Sequence, residues 1–125
     1  MTILSIDDNQ TMTELFALLS KAYDFTALTA NTMNKGIQFL LESIPDLIIT
    51  DFYMPDGDAN KLTALLKSDP KTSDIPVIIC TNAQTEKGEK SFLLGAKKFI
   101  HEKPYNIRNL NHILEGVMPA LQEKK

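Results

Sequence analysis

Residues 47–51 read LIITD: Leu47, Ile48 and Ile49 are followed by Thr50 and then by Asp51, with no alternation until the carboxylate. A strand with one wet face alternates apolar and polar residues, whereas a strand covered on both faces reads as a continuous apolar run. The stretch therefore predicts a central strand of a parallel sheet, with helices on either side. Val77 to Thr81 has the same character, and Ile3 to Ile6, Phe25 to Ala30 and Phe99 to His101 complete a set of five short runs.

Between the runs the apolar period changes from continuous to helical. Met12, Leu15, Phe16, Leu19 and Ala22 recur at three- and four-residue spacing, and Thr11 with Glu14 offers a capping box at the start of a first helix. Met33, Ile37, Leu40 and Leu41 mark a second helix and Leu62, Leu65 and Leu66 a third. A fourth, from about Thr85 to Leu94, carries Gly88 and only a short stripe at Phe92 and Leu93, which makes it the weakest. Ile107, Leu110, Ile113, Leu114 and Val117 form a fifth, opened by Asn106 as a cap. Repeated strand-then-helix units connected with right-handed crossovers predict an α/β fold, a flavodoxin-like doubly wound (βα)5 sandwich with a parallel five-stranded sheet in order 2-1-3-4-5.

Bulk properties narrow the function classes. A chain of 125 residues, 43% hydrophobic and 23% charged, suits one soluble globular domain spanning residues 1–125. A formal charge of -3 without a Lys/Arg cluster argues against direct nucleic-acid binding. Disulfide scaffolding is excluded by the single cysteine, Cys80, which lies in an apolar run and reads as a small buried hydrophobe. No apolar stretch approaches membrane-spanning length and no signal-peptide pattern opens the chain, so the expectation is a cytoplasmic protein without membrane contact.

In sheets of this order, ligands bind beyond the carboxyl ends of the strands, near the point where the strand order reverses. The tips carry Asp7 and Asp8 after the first strand, Asp51 after the third, Thr81 after the fourth and Lys103 just after the fifth. Adjacent strands lie about 4.8 Å apart, so these groups converge. Adjacent aspartates at a helix N-terminus are favoured by the helix dipole in any case, but the recurrence of polar groups at the other tips points to a shared site. Clustered carboxylates repel unless a cation lies between them, and Mg²⁺ takes hard oxygen ligands from one or two carboxylates together with phosphate. Lys103 and the Thr81 hydroxyl would then contact phosphate oxygens. Neither His101 nor His112 is needed for this chemistry.

Over essentially its whole length the chain resembles the receiver domain of two-component response regulators, the chemotaxis-regulator type included. The resemblance is carried by IDD at Ile6 to Asp8, DFYMP at Asp51 to Pro55, IPVIICT ending in Thr81, GAKKFI, and KP at Lys103 and Pro104. It implies a signalling module rather than an enzyme. Asp51 would be the phosphoacceptor, charged by a histidine kinase or phosphotransfer protein. Asp8, Asp51 and the Tyr53 carbonyl would ligate Mg²⁺, Asp7 would act mostly through water, and Thr81 and Lys103 would hold the phosphoryl oxygens. The resemblance also implies a cis bond before Pro104. Phosphorylation would remodel the face formed by the fourth helix, fifth strand and fifth helix, controlling a downstream protein or a fused output domain.

Some positions depart from the family pattern. Asn82 replaces a small residue after the switch hydroxyl, which implies crowding of the phosphate and altered phosphorylation or dephosphorylation, and Tyr53 is similarly large. MPDGDA places Gly57 and Ala59 where the family has Met and Gly. In the fifth strand, counting from GA puts Phe99 at the aromatic switch position and counting back from Lys103 puts Ile100 there, so a bulge would have to absorb one residue. Alternative readings are a phosphorylation-independent, degenerate receiver, a haloacid-dehalogenase-like phosphatase, and a flavodoxin. The phosphatase would need an Asp where Tyr53 stands, and the flavodoxin a phosphate-cradling loop where DDNQTM is acidic.

Overall fold

The computed structural model describes residues 1–80, the backbone of residues 98–100, and residues 108, 112 and 114–116. The fourth helix from Thr85 to Leu94, the cap at Asn106 and the bond before Pro104 lie outside the described residues.

Nearly continuous apolar runs do form the sheet. Strands β1 (Thr2–Ile6), β2 (Thr26–Ala30) and β3 (Leu47–Thr50) are separated by helices α1 (Gln10–Tyr23) and α2 (Met33–Glu42). After β3 come two short strands, β4 (Tyr53–Met54) and β5 (Gly57–Asp58), then helix α3 (Ala59–Lys67), β6 (Val77–Cys80) and β7 (Lys98–Ile100). The main sheet is parallel in the order β2-β1-β3-β6-β7. With the β4-β5 hairpin set aside, this is the expected 2-1-3-4-5 order of a doubly wound, flavodoxin-like α/β fold. In the register of the last pair, Phe99 stands opposite Ile79 and Ile100 opposite Cys80.

Alternation along the buried strands divides the core in two. Leu4, Ile6, Ile48, Val77 and Ile79 face α2 and α3, packing with Met33, Leu40, Leu62 and Leu66. Ile3, Leu47, Ile49, Ile78 and Cys80 face the other way, against Phe16 and Leu19 of α1 and against Leu114. Every residue of β3 and β6 is buried, whereas edge strand β2 keeps only Ala30 fully covered.

The helix boundaries correct part of the sequence reading. Helix α1 is not opened by a Thr11–Glu14 box: Asn9 is its cap, accepting from the Met12 N–H at 3.2 Å, while Glu14 accepts from the Gln10 amide at 3.0 Å. Asp24 ends that helix in the left-handed conformation, φ 57°, and its N–H donates to the Ser20 carbonyl. The buried stripes are narrower than the apolar residues suggested, since Leu41 is 84% exposed and Leu65 44%. Ala22 is exposed as well. In α2 the buried residues are Met33, Gly36 and Leu40, and the partly buried Ile37 and Phe39 pack against the same core.

Candidate functional site

The sheet ladder continues just past β1 and β3 and fixes the residues that follow them. The Asp7 N–H donates to the Ala30 carbonyl at 2.9 Å, and the Asp51 N–H donates to the Ile6 carbonyl at 2.9 Å. Both backbones therefore stay in register with neighbouring strands while their side chains leave the end of the sheet. Asp7 and Asp51 are buried, at 4% and 7% exposure, and Asp8 between β1 and α1 is exposed.

Local hydrogen bonds orient these carboxylates. Asp7 accepts from the Asn9 N–H at 2.8 Å through Oδ1, a tight turn that delivers Asn9 to its capping position. The Asp51 Oδ1 accepts from the Phe52 N–H at 2.7 Å, and the Thr50 hydroxyl donates to the Asp51 carbonyl at 2.9 Å. Phe52 is fully buried and anchors the chain immediately after Asp51. As a result, one carboxylate oxygen from each of Asp7, Asp8 and Asp51 lies within 4.8 Å of the others.

Close-set oxygens from two buried and one exposed carboxylate suit a hard divalent cation reached from solvent. A donor set made only of oxygens, with the exposed member leaving room for water, fits Mg²⁺ better than a closed nitrogen or sulfur site would. The sequence-predicted carboxylates Asp7, Asp8 and Asp51 are thus brought together. Tyr53 stands two residues beyond Asp51 at the start of β4, its side chain 43% exposed and its ring edge-on to Phe52 with centroids 4.8 Å apart. Thr81 and Lys103, together with Asn82, lie outside the described residues.

One part of the site neighbourhood was missed in the sequence. Tyr53 pairs with Asp58 and Met54 with Gly57, closing a hairpin directly after Asp51. The Ala59 N–H donates to the Phe52 carbonyl at 2.8 Å and ties the base of that hairpin to the start of α3. At its tip, Asp56 accepts from the N–H groups of Met33 and Asn34, each at 2.8 Å. Those donors hold its carboxyl below the usual carboxylate range, the Asn34 bond contributing most. The Asp56-Gly57 pair is a recognisable turn signal, but nothing local in the sequence announces that the carboxylate caps another helix.

Comparison with known proteins follows the same outline. Residues 3–115 match the Response regulator receiver domain family. The chain is 30% identical over 118 residues to the phosphate regulon transcriptional regulatory protein PhoB of Pseudomonas aeruginosa, covering 94% of this chain and 51% of that protein. It is also 30% identical over 125 residues to histidine kinase P4 of Formosa agariphila, across 94% of this chain and 9% of the kinase. The chain thus spans about half, or far less, of these relatives' lengths. Its fold is similar to that of a CheY-like response regulator receiver domain protein from Methanospirillum hungatei, with TM-score 0.84, 18% identity, and coverage of 99% of this chain and 98% of that one.

Proposed function

We propose that this chain, which belongs to the response regulator receiver domain family of two-component signalling, accepts a phosphoryl group on Asp51 from a histidine kinase or phosphotransfer protein. The observation that carries the reading is the convergence of the Asp7, Asp8 and Asp51 carboxylates at the adjacent ends of β1 and β3. Asp8, Asp51 and the Tyr53 carbonyl would hold Mg²⁺, with Asp7 acting mostly through water. When bound, the cation neutralises phosphoryl oxygens and carboxylates together.

The remaining chemistry belongs to the chain's own groups. A carboxylate oxygen of Asp51 attacks phosphorus in line; a P–O bond forms, the P–N bond to the donor imidazole breaks, and the imidazole departs with a proton. Positioning and charge compensation supply most of the acceleration in such transfers. The Phe52 N–H, fixed on Asp51 Oδ1 at 2.7 Å, orients the nucleophile. Thr81 and Lys103 would contact the transferred oxygens. Drawing Thr81 toward the aspartyl phosphate would bias two packings of the face that includes the fifth strand of the main sheet, with Phe99 or Ile100 at the switch position.

In this role the protein is a signalling module rather than a turnover enzyme, one receiver domain over residues 1–125, working in the cytoplasm on a downstream protein or a linked output domain and not on nucleic acid itself. Among the described residues no helix is long and apolar enough to cross a membrane. The test is intact-mass spectrometry after incubation with a small-molecule phosphodonor or a cognate kinase, with and without Mg²⁺. One Mg²⁺-dependent phosphoryl adduct, lost in Asp51→Asn, is expected. No adduct with either donor would overturn the reading in favour of a phosphorylation-independent interaction module.

A further inference from the structure

Helix α2 begins with its N–H groups fully assigned, and half of the assignment comes from outside the helix. The Lys35 N–H donates to the hydroxyl of its cap Thr32 at 3.0 Å, and the Gly36 N–H to the Thr32 carbonyl at 3.1 Å. The N–H groups of Met33 and Asn34 go to the two separate oxygens of Asp56. This two-pronged bond joins α2 to the hairpin that starts two residues after Asp51.

The same helix is joined to the other flank of the carboxylate cluster. A Cβ at Gly36 would stand 2.4 Å from Ile6 Cδ1, so α2 lies against β1 more closely than any other residue would allow. Ile6 is fully buried and immediately precedes Asp7 and Asp8. Met33, also fully buried, lies beneath Gly57 of the hairpin, 3.4 Å from where a Cβ would stand. A closed loop of contacts results: Asp51, hairpin, Asp56, α2, Gly36, Ile6, then Asp7 and Asp8.

We infer that Asp56 is a positioning residue for the divalent-cation site, its carboxylate locking the hairpin to α2 so that the Tyr53 carbonyl and the Asp51 carboxylate keep their spacing from Asp7 and Asp8. This rests on the receiver reading above. The physical reason is that Tyr53 belongs to a two-residue strand, too short to hold itself, so its orientation depends on the anchors at both ends of the hairpin: Phe52 and the Ala59 N–H at the base, and Asp56 at the tip. Ligand-supporting groups of this kind change metal affinity without touching the metal.

The test is calorimetric titration of Mg²⁺ into the full chain and into Asp56→Ala, Asp56→Asn and Asp69→Ala. Asp69 supplies the control because it also accepts a backbone N–H, from Lys71 at 2.9 Å, but sits past the far end of α3. Removing the clamp is expected to weaken Mg²⁺ binding about tenfold. Asp56→Asn, which keeps one of the two acceptors without the charge, should fall between Asp56→Ala and wild type, and Asp69→Ala should match wild type. Equal losses in the Asn and Ala variants would assign the effect to charge alone and overturn the inference, as would wild-type affinity in Asp56→Ala. Should Asp56→Ala melt below the working temperature, the comparison of Asp56→Asn with Asp69→Ala decides: a weakened Asn variant against an unchanged control supports positioning, and parity overturns it. Absence of Mg²⁺ binding by wild type would overturn the receiver reading as well.

Discussion

Asp56 carries a consequence at the level of a single titration. Its carboxylate accepts from Asn34 and Met33 and also faces the Lys61 ammonium, and these together hold its pKa below the ordinary value of 3.8. A group whose folded pKa is depressed contributes stability that is present above its unfolded pKa and is lost as pH falls through the folded pKa. Wild type should therefore be more stable than Asp56→Ala by a constant margin from pH 7 down to about 5. Below about pH 4 the margin should shrink, as the unfolded carboxyl, and then the folded one, takes up its proton. Urea midpoints of both proteins across that range measure it, and a margin independent of pH would show that the clamp does not depend on the ionised carboxylate. The neighbouring Gly57 has φ 157°, a backbone conformation that side-chain-bearing residues rarely adopt. The buried Met33 packs beneath this glycine.

At the scale of elements, the contact of α2 with β1 sets two known effects against each other. In an ordinary helix interior, Gly→Ala gains about 1 kcal/mol of helix propensity. At Gly36 the new methyl would meet Ile6 Cδ1 at 2.4 Å and Cγ1 at 2.8 Å, inside a fully buried layer, and overpacking of this kind costs about 1–3 kcal/mol. The clash wins on these magnitudes, so Gly36→Ala should destabilise by about 1 kcal/mol. Ile6→Val removes the nearer of the two atoms, and the double variant should be more stable than the sum of the single effects by more than about 0.5 kcal/mol. Additive chemical-denaturation energies would show that α2 shifts freely on the sheet. Gly36 also explains why the second helix was only partly legible: a glycine at the centre of the contact stripe carries no hydrophobic signal, which left the exposed Leu41 to be counted in its place. The strands of the main sheet were legible because β3 and β6 are covered on both faces, and Asp7, Asp8 and Asp51 because strand ends in this topology are where polar groups gather. The cap of α1 was misread because Asn9 is set by a turn accepted by Asp7, and the Asp56 clamp because it joins residues 22 and 23 positions apart.

The whole molecule holds its carboxylate cluster together in spite of its charge. Asp7, Asp8 and Asp51 place oxygens within 4.8 Å of one another, and like charges at that separation repel in the folded state far more than in an extended chain. The clamp at Asp56 and the close contact at Gly36 restrain the two flanks of the cluster, so relief by moving the strands apart is opposed by the core. Stability should then respond to the cation by simple linkage. A ligand that binds only the folded state at a free concentration about a hundredfold above its Kd adds about 2.7 kcal/mol. For a chain of this size that corresponds to a rise in Tm of about 10 °C. Asp8→Asn removes one charge from the exposed edge of the cluster without opening a cavity in the core. In chelator-treated buffer Asp8→Asn should melt above wild type, because repulsion is relieved. With saturating Mg²⁺ the order should reverse, because wild type gains the full increment and the variant little of it. Thermal unfolding followed by circular dichroism in the two buffers decides this. The crossing of the two proteins is the diagnostic feature, since a variant that merely weakened the fold would lie below wild type in both buffers, and one that touched no metal site would show the same Mg²⁺ increment as wild type.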